Sequence, residues 1–248
     1  MIYVDGLRVE VADLPGEPGR RAMVLLHEGL GSIAAWRDFP ERLADATRRR
    51  VVAYSRFGHG RSERPRQPRT PAFFHEEALD VLPVLLRELE APAPILVGHS
   101  DGGSIALIHA ARHDVSGLVL MAPHVVVEEI TIETIRKTRD EFEHGELRAR
   151  MARRHDDPDA AFHGWCDVWL DPAFRTWSIE EEAARVTAPM LLIQGADDAY
   201  GTLDQLDRIE ARTQGRVHRL VLAGGHRLHR DAPDNVVEAI AGFAGPLA

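Results

Sequence analysis

Ser100 stands between Gly98 and Gly102 in the stretch Pro94-Ile-Leu-Val-Gly-His-Ser-Asp-Gly-Gly-Ser-Ile-Ala-Leu. A serine hydroxyl is a poor nucleophile until a base takes its proton, and the base needs an acid to orient it. Both residue types follow downstream. Asp197 and Asp198 come after Gly195, and His226 comes after Gly224-Gly225. The order serine, aspartate, histidine is that of strand–turn–helix nucleophiles and differs from both protease orders. It predicts attack of Ser100 on an acyl carbon, with His226 as the base and Asp198 as its orienting acid. Asp197 is the alternative acid. His229, three residues beyond His226, is read as helix-facing or surface.

The elements around these residues must position them. Ile95 to Val97 is a short apolar run with the character of a buried parallel strand. Ser104 to Ala111 reads as a helix. A tight turn joining them lifts the Ser100 hydroxyl above the sheet, and small neighbours are needed where strand and helix crowd together. The next amide, that of Asp101, then sits at a helix N-terminus and can donate to an oxyanion. A second central strand, Ala22 to Leu26, runs into His27-Glu-Gly-Leu-Gly-Ser32. A glycine-rich loop at a strand end supplies a second oxyanion donor, for which Gly29 is the candidate and Glu28 the alternative.

The rest of the chain alternates. Strands are predicted at 51–54, 118–122, 189–193 and 217–222. Helices are predicted at 36–49, 73–89 (kinked by Pro83), 203–213 and 235–243. Residues 2–4 and 7–11 flank Asp5-Gly6 as a hairpin, giving an antiparallel sheet edge. The alternation implies an α/β fold: a mostly parallel twisted sheet with helices on both faces. From 125 to 187 the pattern changes to charged helical segments at 128–143, 145–155, 158–170 and 178–186. This reads as a helical cap inserted into a core formed by 1–124 and 188–248. Trp165 and Trp169, four residues apart, share a helix face in the cap and are candidate substrate-binding residues.

The chain has 248 residues, 44% hydrophobic and 28% charged, with a formal net charge of −9. That balance argues against nucleic acid and anionic membranes as partners and leaves a small-molecule substrate; a homodimer is compatible with it. One cysteine, Cys166, allows no internal disulfide and reads as a packed thiol. No basic segment leads into a long apolar run at the N-terminus, so a cytoplasmic location is the expectation. No cofactor is called for. The spacing of His155-Asp-Asp-Pro-Asp and His163 matches no standard metal site. The many arginines are expected to be solvated or paired with the abundant carboxylates.

Over essentially its full length the sequence resembles the α/β-hydrolase superfamily. The matching pieces are His27-Glu-Gly-Leu-Gly-Ser with Trp36, Arg56-Phe-Gly-His-Gly-Arg-Ser62, Gly98-His-Ser-Asp-Gly-Gly103, Gly195-Ala-Asp-Asp198 and Gly225-His with Asp231-Ala-Pro233. The resemblance implies the α/β-hydrolase fold with an inserted cap. It places the acid three residues after the strand-end glycine, at Asp198. A serine at position 100 is unlike the haloalkane dehalogenases and epoxide hydrolases, which need a carboxylate there. The helical cap is similar to that of meta-cleavage-product hydrolases, but those carry a tryptophan after the histidine where this chain has Arg227. The family usually has glycine after the oxyanion-loop histidine, where this chain has Glu28. The function implied is hydrolysis of a small carboxylic ester. The alternatives are hydrolysis of a carbon–carbon bond in a vinylogous diketone, or a ligand receptor that does not turn over.

Overall fold

The structure is a computed structural model and describes residues 1–247. Nine strands form: β1 (Ile2–Val4), β2 (Leu7–Val9), β3 (Val11–Leu14), β4 (Met23–Leu26), β5 (Val51–Tyr54), β6 (Ile95–His99), β7 (Gly117–Met121), β8 (Met190–Gly195) and β9 (Val217–Leu222). β1 and β2 pair alone. The other seven make one sheet in the order β3-β5-β4-β6-β7-β8-β9, with β3 antiparallel to β5 and every other neighbour parallel. The expected single strand over 7–11 is therefore two. It breaks at Glu10, whose amide turns to Ser62 Oγ (2.9 Å) while its carbonyl accepts from the Ser55 amide (3.0 Å). The chain crosses from one sheet to the other there.

Both faces of the sheet are covered, which is why its central strands are apolar throughout rather than alternating. Along β4, Met23 and Leu25 enter one core with Trp36, Phe39 and Ile240, while Val24 and Leu26 enter the other with Phe74, Leu82 and Ile105. The first face carries α1 (Ile33–Trp36), α2 (Phe39–Thr47), α11 (Leu228–Asp231) and α12 (Pro233–Ala244); the second carries α3 (Phe73–Glu76), α4 (Leu82–Glu88) and α5 (Asp101–Ala110). Two predicted helices are interrupted. The one expected over 36–49 breaks at Arg37, whose φ of 56° and ψ of −126° lie outside helical space. The one expected over 73–89 passes through a π turn at Glu77–Val81 before Pro83 enters in the first turn of α4, where its missing N–H is harmless.

Between β7 and β8 the chain leaves the sheet as α6 (Glu129–His144), α7 (Leu147–Ala152), α8 (Pro158–Leu170), a 3-10 turn at Pro172–Thr176 and α9 (Glu180–Ala183); α10 (Asp204–Arg212) follows β8. The insertion has no core of its own: Ile135, Phe142, Met151, Phe162, Trp165 and Trp169 join the cluster that covers the second sheet face. It is tied to the sheet loops by buried polar groups. His155 accepts from the Gly60 amide through Nδ1 (3.1 Å) and donates to the Leu30 carbonyl through Nε2 (3.2 Å). Gln205 Oε1 accepts from the Val125 amide (2.7 Å). Among the described residues, no helix is long and apolar enough to cross a membrane.

Candidate active site

The sheet order itself selects a place. From β4 the chain moves outward to β5, and from β6 it moves the opposite way to β7, so loops diverge above the carboxyl ends of β4 and β6. Parallel sheets open a crevice at such a switch point. The His27–Ser32 loop and Ser100 lie at those two ends.

Ser100 is the residue between β6 and α5, with φ 53° and ψ −120°. A side chain in that region costs roughly 1–3 kcal/mol of strain, which the neighbours must impose. They do so by proximity. A Cβ on Gly98 would run into the carbonyl of Gly102, and one on Gly102 into the carbonyl of Leu26. The turn is thus squeezed between β4, β6 and the first turn of α5, and Ser100 is driven outward into a cavity of about 440 Å³.

His226 lines the same cavity. Its Nδ1 donates to Asp198, 2.8 Å from Oδ2 and 2.9 Å from Oδ1. Asp198 is held in turn by Gln194 Nε2 (2.8 Å) and by the Tyr200 amide (2.8 Å). Burial raises the Asp198 carboxyl, but the hydrogen bond and charge of His226 and the Tyr200 amide outweigh it, and the net shift is down. Burial also dominates at His226 and lowers its imidazole, against the raising effect of Asp198. With Nδ1 engaged, Nε2 is the nitrogen left to face the cavity. The structure therefore pairs Asp198, not Asp197, with His226; Asp197 is exposed. His229 is buried rather than at the surface, wedged against Trp36 (ring centroids 4.9 Å) and His99 (4.9 Å).

The loop after β4 is shaped by a residue to which the sequence reading gave no role. Arg56 is buried, and its guanidinium donates to the carbonyls of His27 (2.7 Å) and Glu28 (3.0 Å). The Glu28 carbonyl also accepts from His27 Nδ1 (2.7 Å) and the Gly31 amide (3.0 Å). A peptide unit carries its N–H opposite its C=O. Fixing these carbonyls on the Arg56 side turns the amides of Glu28 and Gly29 the other way. The Gly29 amide has no acceptor among the described residues and its residue lines the cavity beside Ser100 and Asp101. The Asp101 amide is the first of α5, where no intrahelical acceptor exists.

Trp165 and Trp169 both reach the cavity. Trp165 lies flush on Gly29, so that a Cβ there would collide with its indole. Trp169 packs edge-on to His124 (5.1 Å) and donates from Nε1 to Asp101 Oδ1 (3.3 Å). Burial pushes the Asp101 carboxyl up to about 6, against the pull of Arg56, Arg69 and Trp169. Below the floor, His99 Nε2 donates to the His226 carbonyl (2.7 Å) while its Nδ1 faces Glu28 Oε2 at 3.5 Å. Residues 27–28, 99 and 226 are thereby locked together.

Cys166 is fully buried in the insertion, and burial pushes its thiol up to about 12. His155 is spent on the two backbone bonds described above, and no group of three or more His, Cys, Asp or Glu with metal-holding geometry occurs among the described residues.

Comparison with known proteins agrees with this architecture. Residues 21–226 match the family described as alpha/beta hydrolase fold. The human protein "Serine hydrolase BPHL" is 26% identical over 227 residues, 85% of this chain and 75% of that protein. The enol-lactonase from Burkholderia xenovorans LB400 superposes with a TM-score of 0.77 at 19% identity, covering 98% of each chain. The meta-cleavage product hydrolase from Pseudomonas fluorescens IP01 does so with 0.69 at 19% identity, covering 98% of this chain and 96% of that one.

Proposed function

This chain belongs to the alpha/beta hydrolase fold family, and we propose that within it the protein is a serine hydrolase cleaving a small carboxylic ester through an acyl-enzyme. One observation carries the reading: a serine in a strained turn opens into the same cavity as a histidine hydrogen-bonded to a buried, ionised aspartate.

Substrate enters below Trp165 and Trp169, with its acyl carbon over Ser100. His226 Nε2 takes the Ser100 proton as Oγ bonds to that carbon. The carbonyl electron pair moves onto oxygen, where the amides of Asp101 and Gly29 receive it. The intermediate collapses, the alcohol leaves with the proton from His226, and an ester to Ser100 remains. Water, deprotonated by His226, reverses the sequence and releases the acid. Asp198 holds the imidazole in the required tautomer and stabilises its charged form. Arg56 acts at one remove, by holding the Gly29 amide in place.

The test is pre-steady-state hydrolysis of short-chain p-nitrophenyl esters by the wild type and by Ser100→Ala. A burst of one equivalent followed by turnover, both abolished in the variant, is expected. Folded wild-type protein with neither burst nor turnover overturns the reading.

A further inference from the structure

Six arginines reach the cavity: Arg37, Arg150, Arg153, Arg154, Arg227 and Arg230. Arg150 is paired with Glu141 (3.1 Å). The other five make no ion pair and no side-chain hydrogen bond among the described residues. Arg20, Arg50, Arg148 and Arg208 each meet a carboxylate at 2.5–2.9 Å; what sets the five apart from other unpaired arginines, such as Arg112, Arg139, Arg185 and Arg216, is that all of them line the cavity that holds Ser100.

The five come from three separate segments. Arg37 follows α1, Arg153 and Arg154 end α7, and Arg227 and Arg230 lie at α11, beside His226. Arg37 is held at φ 56° and ψ −126°, close to the strained values of Ser100 itself. Arg154 and Arg230 are both pulled below the ordinary guanidinium value, first by burial and then by the other arginines, with Glu28 the carboxylate that opposes. Gathering like charges costs free energy, and on a chain of net charge −9 it runs against the general balance. Three of the five are exposed and Arg154 and Arg230 are half-buried, so the unpaired guanidiniums around this one mouth are open to a partner that arrives from solvent.

We infer that the cavity mouth recognises a compact, multiply charged anion, either paired carboxylates or a phosphate, carried by the substrate at the end remote from the bond that Ser100 attacks. The anion would bridge Arg153 and Arg154 of the insertion to Arg37, Arg227 and Arg230 of the sheet domain. Guanidinium forks suit both groups, because their paired oxygens accept two parallel N–H bonds. This assignment rests on the serine hydrolase reading for its chemistry, though not for its charge recognition.

Two measurements separate the two claims. In the first, kcat/KM is compared between p-nitrophenyl butyrate and its ω-carboxylated counterpart, and between p-nitrophenyl and carboxynitrophenyl butyrates, for the wild type and for R154Q/R230Q. The expected result is a preference of the wild type for at least one carboxylated ester. The anionic-to-neutral ratio should fall about 10-fold for each arginine removed, the worth of one charge-assisted hydrogen bond. In the second, citrate and inorganic phosphate are titrated by calorimetry into Ser100→Ala, with and without the arginine substitutions. Saturable binding lost in the R154Q/R230Q background is expected. If neither carboxylated ester is preferred and neither anion binds, the inference is overturned. If the wild type turns over no ester, the hydrolase reading fails and calorimetry alone decides the arginines. Phosphate binding without citrate binding, or the reverse, identifies which anion the mouth accepts. The unpaired surroundings of Arg154 and Arg230 leave the fold intact in these variants, which an unchanged melting temperature verifies.

Discussion

The floor and the mouth of the cavity are built on opposite principles. On the floor, the charged groups that hold His226 and the loop after β4 are answered from within the chain. Asp198 has His226, Gln194 and Tyr200; Glu28 has His99; Arg56 has two backbone carbonyls. At the mouth, five arginines meet with no ion-pair or side-chain hydrogen-bond partner among the described residues. Internal compensation fixes a group in place, which is what a reacting constellation needs. An uncompensated charge on the rim is free to be satisfied by something that enters. Polar density alone therefore does not distinguish positioning from recognition; whether each group already has a partner does.

Substitutions can break or sharpen that contrast. The largest effect is expected from Asp198→Asn, which keeps the shape but presents a donor where His226 Nδ1–H needs an acceptor. Loss of kcat on the order of 10³–10⁴-fold should appear in steady-state kinetics. Arg56→Gln should follow, because it removes a buried cation and frees the carbonyls of His27 and Glu28. A loss of about 3 kcal/mol in denaturant unfolding is expected. Gly29→Ala should reduce kcat about 100-fold, the cost of losing one oxyanion donor, by driving the backbone away from Trp165. Adding Trp165→Ala should restore part of that loss, which a merely unstable variant would not do.

A smaller effect concerns pH. Burial lowers His226, and a base must be neutral, so the acid limb of kcat/KM should lie below 6.5. The same burial pushes His229 down to about 3, against 6.5 in an unfolded chain. On acidification the unfolded state takes that proton first, so stability is lost as pH falls below 6.5 toward 3. The slope is at most about 1.4 kcal/mol per pH unit for one histidine. His229→Phe should flatten the acid side of the melting curve by that contribution. The smallest effect belongs to the rim: Arg154→Gln should change stability by less than about 0.5 kcal/mol, in contrast to Arg56→Gln.

The buried parallel strands were legible in the sequence because both faces are covered, leaving short apolar runs punctuated by glycine. Ser100, Asp198 and His226 were legible because each follows a strand end within a few residues of glycine. Local backbone conformation was not. The break at Arg37 and the π turn at Glu77–Val81 arise from packing that no local periodicity encodes. Nor was the task of Arg56, which lies 28 residues along the chain from the loop it shapes; only sheet pairing of β4 with β5 brings the two together. The arginines were visible as composition, and Arg37, Arg153 and Arg227 are solvated as expected; what the sequence did not reveal is that residues from three distant segments meet at one mouth.

The double attachment of His155 has a kinetic meaning. It ties the junction of α7 and α8, midway along the insertion, to Leu30 and Gly60, and Gln205 secures the start of the insertion at Val125. Because the insertion also shares its apolar cluster with the sheet, lifting it would expose that cluster and take from the His155 ring both the Gly60 amide and the Leu30 carbonyl. Its amides should therefore exchange with deuterium on the timescale of the central strands rather than of a hinged lid. Access is then governed by the width of a standing aperture, and the range of usable substrates should end at a sharp size limit instead of tapering.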